Sequence, residues 1–136
     1  MATTSHNKRK TPKVISNWEP HQEKYDDGKP KNWIFVSRAI DTYGLNPTEF
    51  RVLAHVARRA GAKGSFASLP TMADECGISE RRVSKALKVL CETGILHKTM
   101  TGRSNRYDLE SDSSKWIHPS ELAGIRDGKT AKEKAS

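Results

Sequence analysis

Apolar positions recur regularly between residues 34 and 109, and the segments on either side hold few aliphatic side chains. Phe50, Leu53, Ala54 and Ala57 fall at three- and four-residue spacing and predict a helix. Asn46 or Thr48 suits its N-cap, and Gly61 and Gly64 stand where it must end. Ser65-Phe66-Ala67 predicts one short strand. A second helix starts at Ser68 or Leu69-Pro70, with Leu69, Met72, Ala73 and Cys76 on one face. Pro70 is tolerated in a first turn, where its missing N–H has no partner to lose. Gly77 breaks this helix, and Ile78 follows as a plug for the core.

A third helix is predicted over 80–93, capped by Ser79 and stopped by Gly94 in a left-handed conformation. Val83, Ala86, Leu87 and Leu90 form its apolar stripe. At about 100° per residue, Arg81, Lys85, Lys88 and Glu92 project from the opposite face, with Arg82 and Ser84 flanking them. Ile95–Thr99 and Asn105–Leu109 predict two strands, joined by the polar turn Met100–Ser104 with its single glycine. Helix, short strand, helix, tight turn, helix and hairpin make a mostly helical α+β fold.

The flanks differ in character. Residues 1–33 carry Pro12, Pro20, Pro30 and the turn Asp26-Asp27-Gly28, and predict a flexible basic arm. Trp18 and Trp33 interrupt it; Trp33 leads into Ile34-Phe35-Val36 and is expected to dock on the domain of residues 34–110. Residues 111–136 form a C-terminal tail in which Trp116-Ile117 folds back and Pro119 opens a short helix to Arg126. The chain from Asp127 on is expected to be disordered.

Charge narrows the partner. The 136 residues support one small domain, and 24 basic against 16 acidic side chains leave a net charge of +8, which suits a polyanionic partner and reads the same way for binding to a ribosome or a membrane surface. Within 79–107, Arg81, Arg82, Lys85, Lys88, Lys98, Arg103 and Arg106 stand against Glu80 and Glu92, a concentration expected of a binding surface. The longest apolar run, Trp33–Val36, is too short to span a bilayer. Met1–Lys10 lacks the apolar centre of a signal peptide, so a soluble, cytoplasmic protein is expected. Cys76 and Cys91 form no CxxC pair and are assigned to packing. His55, His97 and His118 lack metal-ligand spacing and are expected at the surface or its edge, while Met72 and Phe50 are assigned to the core. Neither a paired-carboxylate or Ser/His/Asp set nor a Walker loop or metal cluster is evident, so catalysis, cofactors and metals are not expected.

The turn Ala73-Asp74-Glu75-Cys76-Gly77-Ile78-Ser79, the helix Arg81-Arg82-Val83-Ser84-Lys85-Ala86-Leu87, and the closing Leu90 and Gly94-Ile95-Leu96 resemble the winged helix-turn-helix family of DNA-binding domains. The likeness covers roughly residues 34–109 and looks closest to modules of bacterial, plasmid and phage replication proteins and related transcription regulators. Phe35-Val36-Ser37-Arg38-Ala39-Ile40, running into Leu45-Asn46-Pro47-Thr48, is similar to the lead-in of those modules. The resemblance implies three helices with a C-terminal hairpin wing, and double-stranded DNA as partner. It places helix 80–93 in the major groove, with Arg81, Arg82, Ser84 and Lys85 reading bases and Lys88 meeting phosphate. On the wing, 97–107, it implies that Lys98, Arg103 and Arg106 reach phosphate or the minor groove, with Thr101, Ser104 and Asn105 as neutral donors. Lys8-Arg9-Lys10, with Lys13, can track a groove.

Three functional classes fit: a transcription regulator, a replication or plasmid and phage maintenance factor, and an adaptor whose winged helix docks a protein in a replication or other nucleoprotein complex. Replication or transcription proteins are partners in each. A merely solvated basic face is the bland alternative. With no heptad-bearing dimerisation helix, a monomer is expected in solution, and dimerisation on a palindromic site stays open.

Overall fold

The computed structural model describes residues 23–24, 30–31, 34–60, 67–102 and 104–128. The expectations for Lys8–Lys13, Trp18, Trp33, Gly61, Gly64, Phe66, Arg103 and the chain beyond Gly128 lie outside these residues. At the N-terminal end β1 (Glu23–Lys24) pairs antiparallel with β2 (Pro30–Lys31). Ile34 and Phe35 are 88% and 92% exposed, so the apolar lead-in stays outside the core, which begins with Ile40 and Tyr43 around α1 (Arg38–Thr42).

Asn46 is the cap used by α2 (Pro47–Arg59). Its Oδ1 accepts the Glu49 N–H at 2.8 Å while Glu49 Oε1 accepts the Asn46 N–H at 3.0 Å, a reciprocal capping box. The buried face of α2 is turned from the expected one. Glu49, Val52, Leu53, His55 and Val56 are buried, whereas Ala54 and Ala57 are exposed and Phe50 is half-buried. Two polar residues sit among the buried positions: Glu49, satisfied by Arg126 from the far end of the described chain, and His55, which accepts from Arg59 one turn along the same helix. A stripe of purely apolar residues therefore points about a third of a turn away.

Ser68 caps α3 (Leu69–Cys76), which buries Met72, Ala73 and Cys76. Leu69 remains exposed and Ala67 lies in irregular chain, where a strand residue was expected. Gly77, at φ 73°, ends the helix; its N–H and that of Ile78 both donate to the Ala73 carbonyl. Ser79 then accepts the Arg82 N–H and opens α4 (Glu80–Glu92). The predicted stripe Val83, Ala86, Leu87 and Leu90 is buried, and Val89 with it. Helices α2, α3 and α4 pack on one another.

Gly94, at φ 84°, turns the chain out of α4, and a Cβ there would lie 3.2 Å from the Lys115 carbonyl oxygen. The hairpin that follows pairs β3 (Leu96–Thr101) with β4 (Ser104–Leu109), from Leu96 opposite Leu109 to Thr101 opposite Ser104. Its connection is thus two residues rather than the five expected, and Gly102, at φ 76°, supplies the positive φ that primed hairpin turns require first.

Residues beyond the hairpin return to the core. The Trp116 indole N–H donates to the Glu110 carbonyl at 2.9 Å, and its ring meets Tyr43 edge-on at 5.8 Å. Tyr43 Oη donates to the Ile117 carbonyl, whose own N–H donates to Thr93 O at 2.8 Å. A 3₁₀ turn, Pro119–Glu121, leads into α5 (Leu122–Arg126), which buries Leu122 and Ile125 in the common core. Among the described residues no helix is long and apolar enough to cross a membrane.

Candidate nucleic-acid interface

Packing of α4 against α2, α3, α5 and β3 uses one side of the helix and leaves the other to solvent. Arg81, Ser84, Lys85 and Lys88 are exposed on that outer side. None of these three cations makes an ion pair or a hydrogen bond within the described residues. Such a face keeps its full charge and all its donors for a partner. Glu92 departs from the expected picture: it is half-buried, and its Oε2 is removed from solvent without a hydrogen-bond partner among the described residues. Val89, beside it on the helix, is buried as well, so the outer face narrows towards its C-terminal end.

Arg82 occupies the flank. Together with Lys85 it lines a shallow depression closed by Thr48 and Glu49 from the first turn of α2 and by Arg126 from α5. Both Glu49 carboxylate oxygens accept from Arg126, Oε2 from Nε at 2.9 Å and Oε1 from Nη2 at 2.6 Å. The pair raises the Arg126 pKa, and it cancels the carboxylate that would otherwise oppose Arg82 and Lys85.

The hairpin divides its cations. Cross-strand partners share a face, so Lys98, opposite Tyr107, lies on the side that packs towards the core, and Arg106, opposite Thr99, lies on the other. Arg106 Nε donates to Asp108 Oδ2 at 2.9 Å, two residues along the same face. At the hairpin's base His97 Nε2 meets Glu110 Oε1 at 3.0 Å, and this contact holds the Glu110 carboxyl below its ordinary range. Lys98 is exposed, Ser104 opens β4 opposite Thr101, and Arg103 lies outside the described residues. The structure thus gathers Arg81, Arg82, Ser84, Lys85 and Lys88 on one helix but does not bring Lys98 and Arg106 to a common surface.

A second basic cluster is self-compensating. Arg58 and Arg59 donate to the Glu75 carboxylate at 3.3 and 3.1 Å, and Arg51 donates to the Glu75 backbone carbonyl at 2.7 Å. Arg59 Nε also donates to His55 Nε2 at 3.1 Å, which requires a neutral imidazole with its proton on Nδ1, 3.6 Å from Glu75 Oε1. Burial, with the neighbouring arginines, lowers the His55 pKa to about 4 despite the Glu75 charge. His55, expected from the sequence at the surface or its edge, is buried in the structure. Thr48 and Arg126 were not singled out by the sequence as neighbours of the basic helix, since neither lies near it in the chain.

Residues 43–96 match the family model of the helix-turn-helix domain, a span running from Tyr43 through α2, α3 and α4 to the first residue of β3. No curated protein and no solved structure matches the chain.

Proposed function

We propose that this helix-turn-helix domain binds double-stranded DNA sequence-specifically and without catalysis, with α4 in the major groove and the hairpin as a wing along the backbone or minor groove. The observation that carries the reading is the outer face of α4, where Arg81, Lys85 and Lys88 stand exposed without acidic partners among the described residues while the opposite face is buried. A B-DNA major groove admits one α-helix, and Arg or Lys can donate there to guanine O6 and N7. Arg81, Ser84 and Lys85 lie in the first half of the helix, where base edges come within reach, and Lys88 further along meets phosphate. On the wing the candidate contacts are residues 98, 103, 104 and 106, with Lys98 on one face of the hairpin and Arg106 on the other. The role we propose for it is that of a transcription regulator or of a factor in replication or in plasmid or phage maintenance, acting beside replication or transcription proteins.

Selection of bound duplexes from a random library, followed by footprinting on the source replicon, tests this. The expected result is a discrete protected site, with affinity falling on added salt with a slope equivalent to about four to seven phosphate contacts. A site at a promoter marks a regulator, and a site within an origin marks a replication factor. Absence of binding to any duplex at low salt would overturn the reading.

A further inference from the structure

The depression beside α4 combines two free cations, a hydroxyl and a carboxylate that is already spent. Glu49 is 3% exposed and bonded through both oxygens to Arg126, so it presents no negative charge to a ligand. Arg82 and Lys85 face the same space without partners among the described residues, and the half-buried Thr48 lies opposite them. Seen down the helix, Arg82 is about 100° from Arg81, on the side away from Ser84. An α-helix with its side chains is about 10–12 Å across and the major groove about 12 Å wide. A helix that aims Arg81 at the groove floor therefore sends Arg82 to the groove wall, which is formed by backbone phosphates.

We infer that this depression seats one phosphodiester of the strand bordering the groove, held by Arg82 and Lys85 with Thr48 as a neutral donor. Arg82 is then a positioning residue and not a base reader, a different role from the one the helix-turn-helix resemblance assigns it. The inference rests on the DNA-binding reading and makes a narrower claim. Lys85, at the boundary between floor and wall, serves both surfaces. Arg126 acts behind them by keeping Glu49 neutralised.

The test compares wild type, Arg82→Ala, Arg82→Lys and Arg81→Ala on the selected duplex and on a random-sequence duplex over a range of salt, with thermal melts to confirm folding. Arg82→Ala is expected to weaken binding to both duplexes by the same factor and to lower the salt slope by about one. Arg82→Lys is expected to restore the slope, because a phosphate contact needs charge and not a two-pronged fork. Ethylation of single phosphates is expected to show one position that interferes with wild type and no longer matters in Arg82→Ala. If wild type binds but Arg82→Ala keeps the slope and changes preference at one base position, or if lysine fails to restore the slope, the phosphate assignment is overturned and the DNA-binding reading stands. If wild type binds neither duplex, both fall together.

Discussion

Arg126, in the last turn of α5, closes a two-pronged ion pair on Glu49, in the first turn of α2, and its other contact, from Nη2 to the Gly44 carbonyl at 2.9 Å, ties down the loop before that helix. One guanidinium thus fastens the C-terminal end of the described chain to the start of the segment that matches the helix-turn-helix model. The same pair satisfies a buried carboxylate and keeps the depression next to α4 basic.

Removal of that guanidinium leaves Glu49 buried with the Asn46 N–H as its remaining donor. Arg126→Ala is expected to cost roughly 2–3 kcal/mol, below the full cost of breaking a fully buried pair because Arg126 is partly exposed. Urea denaturation checks this. The double variant Glu49→Gln, Arg126→Met is expected to recover part of the loss, since no unpaired charge then remains inside.

Acid is expected to destabilise the domain through His55. Its folded pKa of about 4 lies below the unfolded value of 6.5, so between these values the unfolded chain binds the extra proton. Stability therefore rises with pH across this window, and acidification from pH 6.5 to 4 forfeits roughly 3 kcal/mol. Glu75 adds to the loss at the acid end, because its pKa is also lowered and its protonation releases Arg58 and Arg59. His55→Gln keeps an acceptor for Arg59 without the titration, and its unfolding free energy is expected to be nearly flat from pH 6.5 to 4.5. Equal pH dependence in the two proteins would show that the imidazole is not the sensor.

Leu87 lies in the middle of the buried stripe of α4, among helices α2 and α3. Leu87→Ala is expected to cost roughly 2–5 kcal/mol, a large share of the stability of so small a domain. Lys88→Ala, one residue on and exposed, is expected to stay within about 0.5 kcal/mol. Guanidinium melts of the two variants decide whether the helix faces are assigned correctly.

On the hairpin, Arg106 enters any complex already paired with Asp108, and a phosphate would have to compete for it. Arg106→Ala is accordingly expected to lower the DNA salt slope by less than one contact, whereas Lys88→Ala lowers it by about one. Asp108→Asn, which frees the guanidinium, is expected to tighten binding to specific and random duplex alike. A gel-shift series over salt measures all three.

Truncation of a base reader has a different signature. Arg81→Ala is expected to cost roughly 1–3 kcal/mol on the selected site and to relax specificity at one position, with a smaller effect on random duplex. Competition between the two duplexes reads the difference.

Local chemistry determined much of this protein without help from the fold. Ser79 and Gly94 bracket α4 because a serine hydroxyl suits an exposed helix start and a glycine tolerates positive φ, and both requirements are met within a few residues. The stripe from Val83 to Leu90, and hence the basic face opposite, follows from helical periodicity alone. Tertiary structure decided what depends on distant partners. The buried face of α2 contains Glu49 because Arg126, 77 residues away, satisfies it, and it contains His55 beside Glu75 of α3, whose carboxylate lies 3.6 Å from Nδ1 and binds the Arg59 that donates to Nε2. The separation of Lys98 from Arg106 depends on strand register, and a two-residue connection instead of a five-residue one sets that register. The place of Arg82 beside Thr48 required α2 and α4 to be packed, since a helical wheel gives direction around one axis and says nothing of what stands next to it.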